Sequence, residues 1–175
     1  MNALTVGAVS FGSSTSNVFP LNALKTPSEN TVTKFTAGFL LTNNLSWVAL
    51  IEKQRPAYLK GKLNGIGGHM EPGETPLECQ VREFQEETGV TVNDWTQFAT
   101  LRIPGRAEIN FFYAFASTFS NLKQMTDEKL VYRYLPELHG DNYAGCVPNL
   151  RYLLPMALLH AQNSWTGIYN VTEPA

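Results

Sequence analysis

The stretch from Thr75 to Gly89 constrains this chain more than any other. Thr75-Pro76-Leu77-Glu78 puts Thr at an N-cap, Pro at the first helical position and Glu at the third, a capping box that starts a helix. Gly89 stands where a left-handed C-terminal residue belongs. The spacing therefore predicts a helix over 75–88. At about 100° per residue, Leu77, Val81, Phe84 and Thr88 gather on one side, which is expected to face the core. Glu83, Glu86 and Glu87 gather on the side away from it.

Strand patterns flank this helix. Residues 34–41 carry Phe35, Ala37, Phe39 and Leu41 at spacing two, the period of a half-buried strand. Asn43-Asn44 makes a turn, and 47–51 reads as the next strand. Residues 55–68 read as loop, punctuated by Pro56, Gly61, Gly65, Gly67 and Gly68. Further strands are expected at 96–103, 109–119 and 130–135, with Pro104-Gly105 turning the chain between the first two. Residues 149–162 look helical, with a kink at Pro155. Strands surround isolated helices without strict alternation, so the expected fold is an α/β sandwich with a mixed sheet between helices. Residues 1–31 are expected to form an N-terminal extension, with a strand or partly ordered arm at 5–11 and a Ser/Thr turn, and the compact domain is expected over 32–175.

With 175 residues the chain fits one domain. Thirteen Lys+Arg against 15 Asp+Glu leave a net charge of -2, which disfavours wholesale nucleic-acid or membrane-surface binding. No apolar run reaches the ~18 residues of a membrane span. Cys79 and Cys146 show neither CxxC spacing nor scaffold density, as suits a reducing cytosol and two small buried hydrophobes. A cytoplasmic location is expected.

The chemistry concentrates between residues 53 and 87. Three glutamates at i, i+3 and i+4 repel each other by roughly 0.2–0.5 kcal/mol per pair on an isolated helix, and Arg82 offsets only part of this. A solvated acidic face is the bland explanation. The preceding stretch argues for more: Gly67-Gly68 lets a ligand approach the backbone, and Pro72-Gly73 turns the chain into the helix. A hard divalent cation would relieve the repulsion. Lys53, Arg55, Lys60 and Lys62 lie just upstream of Glu71, Glu74, Glu78, Glu83, Glu86 and Glu87. A polyphosphate could meet the basic loop while cations bridge it to the carboxylates.

Gly68, Glu74, Arg82-Glu83-Phe84, Glu86-Glu87 and Gly89-Val90 fill every fixed position of G-x5-E-x7-R-E-U-x-E-E-x-G-U, with U apolar. In this the chain resembles the Nudix hydrolases. A looser similarity runs from Phe35 to about Leu159, through Asn64-Gly65-Ile66-Gly67-Gly68, the aromatic strand 111–115 and Asn149-Leu150-Arg151. The resemblance implies a Nudix-type α/β/α sandwich. It also implies hydrolysis of the pyrophosphate of a nucleoside diphosphate linked to another group, with Mg²⁺ (or Mn²⁺) and water.

By the same resemblance Glu83, Glu86 and Glu87 are metal ligands with the Gly68 carbonyl. Catalysis would rest on these glutamates, with Glu83 favoured as general base and Glu128 the candidate outside the motif. Glu128 also reads as a solvated loop acid beside Asp127. Glu74 and Arg82 are expected to brace the carboxylates. Arg55, Asn64, Gly67 and His69 are the substrate-binding candidates. The run beginning at Asn64 is similar to that of oxidised-purine nucleoside triphosphate hydrolases, where the Asn hydrogen-bonds the base, although a turn role explains it equally. His69 replaces the usual Lys and is a weaker phosphate partner. Tyr134 and Tyr143 could stack on a base or simply pack.

The leading expectation is a nucleoside or deoxynucleoside triphosphate pyrophosphohydrolase that sanitises oxidised nucleotides. An ADP-ribose or nucleotide-sugar hydrolase, suggested by Pro104-Gly105, is the alternative. A non-catalytic ligand sensor is the reading from another class, and the full set of motif glutamates speaks against it. Expected partners are small-molecule nucleotides and a second copy in a homodimer, with the N-terminal arm open to mediating the dimer, covering the site or staying loose; a stable nucleic acid complex and a membrane are not expected.

Overall fold

The computed structural model describes residues 32–163 and 166–174; the expected N-terminal arm lies outside them. Alternation at period two builds the sheet. β1 (Thr33–Thr42) pairs parallel with β5 (Ala107–Ala116) along its whole length, and β2 (Trp47–Glu52) turns back antiparallel to β1. With β3 (Leu63–Asn64), β4 (Thr96–Ile103) and β7 (Tyr169–Thr172) the order is β3-β2-β1-β5-β4-β7, and β6 (Lys129–Tyr134) pairs with β2. The sheet is mixed, because β4 joins β5 antiparallel and β7 parallel.

Two helices cover it, α1 (Pro76–Thr88) and α2 (Leu150–Gln162). Ala37, Phe39 and Leu41 of β1, Val48 and Leu50 of β2, and Phe111 and Tyr113 of β5 pack with Leu150, Leu153, Leu154 and Ala157 of α2. The intervening Leu40, Ala49, Ile51, Phe112 and Ala114 pack with Phe84 of α1 and with Trp95. The central strands are therefore buried on both faces rather than half-buried, as a sheet between helices requires. The α/β/α sandwich expected from the sequence is present.

The capping box forms as predicted: the Thr75 hydroxyl accepts from Glu78 N–H, and the Glu78 carboxylate accepts from Thr75 N–H at 2.8 Å. Gly89 ends α1 in the left-handed region, at φ 72°. The buried face differs from the expected stripe. Leu77 is exposed, while Cys79, Gln80, Phe84, Glu87 and Thr88 are buried. Gly38 is the cause: a Cβ there would meet the Gln80 amide nitrogen at 2.2 Å and the Trp95 ring at 2.7 Å. The helix settles onto that bare backbone and is rotated toward its own glutamates.

Other differences are smaller. β5 ends at Ala116 rather than 119, whereas α2, with Pro155 inside it, ends at Gln162 as expected. The two-residue β3 and the C-terminal β7 carry no periodic signal. Cys79 and Cys146 are free and buried, as expected. Among the described residues no helix is long and apolar enough to cross a membrane.

Candidate active site

β1 and β2 pair only near their shared turn (Leu40 with Ala49, Leu41 with Val48), and residues 63–70 enter the gap beyond it. That segment leaves β2 at Leu63–Asn64 and then follows β1. Gly38 and Ile66 exchange backbone hydrogen bonds at 2.7 and 2.9 Å, Thr36 N–H donates to the Gly68 carbonyl at 2.9 Å, and Met70 N–H donates to Lys34. Gly67 has a φ of 150°, and a Cβ on it would meet the Thr36 carbonyl oxygen at 2.5 Å. Only glycine passes there. Gln80 of α1 pins the segment by donating to the Ile66 carbonyl at 3.1 Å.

The motif carboxylates meet this segment in three different settings. Glu83 lies against Gly68, where an added Cβ would stand 2.3 Å from its Oε2. Burial raises its pKa and Arg82 opposes the rise. Glu87 is 9% exposed, and its Oε2 has no hydrogen-bond partner among the described residues. Burial pushes the Glu87 carboxyl up to about 8; the Lys53 ammonium draws it down, while Glu128 and Glu83 push it further up. Glu86 alone is well exposed, with 57% of its side chain in solvent.

Arg82 braces the group as expected. It holds Glu74 in a bidentate pair (Nε to Oε1 2.8 Å, Nη2 to Oε2 3.0 Å), and its Nη1 reaches Glu83 at 2.9 Å and Glu86 at 3.3 Å. The fork geometry suits a planar guanidinium. The pairing, led by the Arg82 hydrogen bonds, drops the Glu74 pKa to about 2.

Glu128 is not a solvated loop acid. It is 7% exposed and forms an ion pair with Lys53 Nζ at 2.7 Å, beside Glu87. Its neighbour Asp127 takes the exposed role, pairing with Arg55 at 3.3 Å.

Gly67, Gly68 and Lys53 also line a cavity of about 450 Å³, the size of a small-molecule site. Arg55 and Asn64 line it too, so four of the sequence-predicted ligand-facing residues converge. The Asn64 Oδ1 accepts from Gly65 N–H at 2.9 Å, which is the turn role, while the residue still borders the cavity. His69 does not converge. Its exposed ring packs edge-on against Phe35 at 5.5 Å, and it is the His69 carbonyl that contributes, accepting from Arg82 at 3.1 Å. A side chain one residue beyond Gly68 in an extended segment points away from the cavity. Tyr143 is buried in the core and Tyr134 packs on Trp47 at 5.1 Å, so neither stacks in the cavity. Pro104 sits in the turn between β4 and β5, and only its neighbours Ile103 and Ala107 reach the cavity wall.

Sequence reasoning missed Asn149 and Glu173 as cavity residues. Asn149 is the N-cap of α2, yet its side chain makes no capping bond, and its Oδ1 is buried without a partner among the described residues. An N-cap Asn ordinarily spends that oxygen on the helix. Withholding it leaves a polar atom in need of a donor from the cavity. The signal available was an Asn before a helix; that it would not cap depends on the fold.

Among the described residues, no three His, Cys, Asp or Glu side chains stand close enough together to hold a metal ion as placed. Arg82 holds two of the three glutamates, and Glu87 faces Lys53. The donor set nevertheless fits a hard divalent cation: all are oxygens, Glu87 Oε2 lacks a partner, and Gly68 leaves room for Glu83 beside its own carbonyl.

Residues 33–148, more than half of the chain, match the family model of the NUDIX domain. A stretch of 62 residues is 34% identical to the 8-oxo-dGTP diphosphatase of Escherichia coli (strain K12); it covers 35% of this chain and 48% of that protein, about half of the relative's length. The fold is similar to a NUDIX hydrolase of Nitrosomonas europaea (TM-score 0.62, 15% identity, 82% of this chain and 80% of that one). It is also similar to the MutT NUDIX hydrolase of Burkholderia pseudomallei (TM-score 0.59, 17% identity, 71% and 96%). The layered sheet, the filled motif on α1 and the matching span agree: this chain belongs to the Nudix family.

Proposed function

We propose that the chain is a divalent-cation-dependent hydrolase that splits nucleoside or deoxynucleoside triphosphates into the monophosphate and pyrophosphate, with Mg²⁺ as the cation and Mn²⁺ able to replace it. One observation carries this reading. The same two glycines that wall the cavity also contact the motif carboxylates, Glu83 at Gly68 and Glu87 beside Gly67. A nucleotide in the cavity thus has its phosphates against the acidic face of α1.

Glu83, Glu86, Glu87 and the Gly68 carbonyl would hold the cation, which when bound neutralises phosphate charge and acidifies water. Lys53 and Arg55 meet outer phosphate oxygens from the cavity wall. Glu83 takes a proton from the attacking water, and its raised pKa suits a proton acceptor. The water oxygen bonds to phosphorus, the anhydride P–O bond breaks, and its electron pair leaves with pyrophosphate. Glu128 holds Lys53 in place and is the second candidate for the base. Asn64 and Asn149 border the base end, where an amide supplies both donor and acceptor. The relative named 8-oxo-dGTP diphosphatase supports a purine, oxidised guanine included, as the base. Two free buried thiols suit reaction in the reducing cytoplasm.

The test is product analysis with dGTP, 8-oxo-dGTP, dCTP and ADP-ribose, in Mg²⁺ and in chelator. Pyrophosphate from a triphosphate, lost in chelator, is expected. AMP from ADP-ribose with no pyrophosphate from any triphosphate would replace this reading, and binding without turnover would make the chain a sensor.

A further inference from the structure

The C-terminal strand delivers a carboxylate to the cavity that the reaction as proposed does not use. β7 runs parallel to β4, and directly after it Glu173 N–H donates to the Arg102 carbonyl at 3.0 Å. This fixes the Glu173 backbone at the sheet edge and its side chain at the cavity wall. Tyr152 Oη donates to Glu173 Oε1. Tyr152 is three residues past Asn149, so the two lie on one face of α2. The Tyr152 bond therefore sets the carboxylate next to the first turn of α2, at the end where the Asn149 Oδ1 lacks a partner.

Among the described residues no Lys or Arg forms an ion pair with Glu173. The guanidinium of Arg102, the basic residue whose backbone it touches, is engaged by Glu108 at 2.9 Å and Asn170 at 2.8 Å. The phosphate-facing cations Lys53 and Arg55 pair with Glu128 and Asp127 instead. An anion here would repel phosphate, so this end of the cavity suits the base of the nucleotide. A carboxylate accepts hydrogen bonds only, and its two oxygens suit two adjacent donors. Guanine-type bases present such a pair, the ring N1–H beside the exocyclic N2 amine. Adenine and cytosine offer one amine next to an acceptor, which a carboxylate opposes.

We infer that Glu173 is a specificity-determining residue that reads the N1–H and N2 amine of a guanine-type base, with Tyr152 holding it in position. The inference rests on the nucleotide reading above and is tested apart from it by binding without metal. Affinities for dGMP, 8-oxo-dGMP, dAMP and dCMP are measured by calorimetry on the full chain, wild type, Glu173→Gln and Glu173→Ala.

Hydrogen bonds to a charged group are worth about 1.5–3 kcal/mol, so both variants are expected to weaken the guanine nucleotides by about 10- to 100-fold. The affinities for dAMP and dCMP should stay the same or rise. Equal loss for all four nucleotides would mean that Glu173 only anchors the C-terminal strand, and no loss would mean that it is idle; either overturns the inference. A loss confined to dGMP and 8-oxo-dGMP, in both variants, supports it. Pyrophosphate release with wild-type base ranking in Glu173→Gln sinks this inference alone, whereas a wild-type chain that neither binds the four nor hydrolyses triphosphates sinks both.

Discussion

Glu87 couples stability to chemistry through one carboxylate. Its folded pKa, raised to about 8 chiefly by burial, lies above the ordinary value. Below the ordinary carboxylate range both folded and unfolded chains carry the proton, and this group costs nothing. As pH rises the unfolded chain ionises first, so its contribution falls until Glu87 itself ionises near 8. Metal-free Glu87→Gln should therefore match the wild type near pH 4 and melt higher than it at pH 8.5. Mg²⁺ should raise the wild-type melting temperature at pH 8.5 and leave the variant unmoved, with turnover nearly abolished. Calorimetric scans at both pH values, with chelator and with Mg²⁺, check each arm; a variant less stable than wild type at pH 8.5 would contradict the burial argument. The burial was not legible, because helical spacing sets Glu87 with Glu83 and Glu86 on the side away from Leu77, Val81, Phe84 and Thr88, and the rotation of α1 brings it inside. Nor was the unpartnered oxygen, because it depends on Gly67 and Lys53 arriving from other segments. Arg82 tells the same story. The sequence places it four residues before Glu86, but its bidentate pair with Glu74 spans the turn into the helix. Arg82→Ala should destabilise by about 2 kcal/mol, because partial solvent access screens what remains unpaired. Arg82→Lys should recover little of the activity; urea titration and turnover measure the two effects.

At the scale of elements, the ends of α1 were readable and its rotation was not. Capping residues act locally, so Thr75, Pro76, Glu78 and Gly89 fixed the boundaries. Rotation about the axis is decided by what the sheet offers, here a strand with no side chain at Gly38. Gly38→Ala tests this. Its Cβ would displace both Gln80 and Trp95, so the substitution is expected to cost about 1–3 kcal/mol, as overpacking does. It should also lower activity, because α1 carries the carboxylates. Thr75→Ala, by contrast, should cost about 1 kcal/mol and leave turnover close to normal, since the cap fixes the start of the helix and not its rotation. Denaturant midpoints and rates for the two variants separate rotation from end-fixing; equal losses of rate would join them. The strands follow the same division. Long alternating segments such as β1 and β5 announced themselves, whereas β3, two residues long, exists only because β2 splays from β1 and leaves an edge to pair.

For the whole molecule, the two cores join segments far apart in sequence. Ala37 and Leu154 share one layer, and Leu40 and Phe84 share the other. The cavity is equally composite, with glycines from residues 67–68, a basic loop at 53–55, an N-cap at 149 and Glu173 near the opposite end of the chain. Local patterns supplied the first two, the glycines as a break at the start of the motif and the basic loop as a charge cluster just upstream. Asn149 and Glu173 depend on where α2 and β7 land, which no local period encodes. The domain boundary expected near residue 32 can be tested on the whole molecule. Among the described residues the sheet begins at Thr33 and the core residues lie at Ala37 or beyond. If the domain begins at Val32, as the sequence pattern suggests, a chain starting there is expected to fold as a unit, with a melting temperature near that of the full chain and turnover within about twofold. Mass measurement in solution shows whether a dimer, if the full chain forms one, survives the deletion. Loss of folding would move the domain boundary upstream of 32; loss of turnover with the melting temperature retained would place part of the site in the arm.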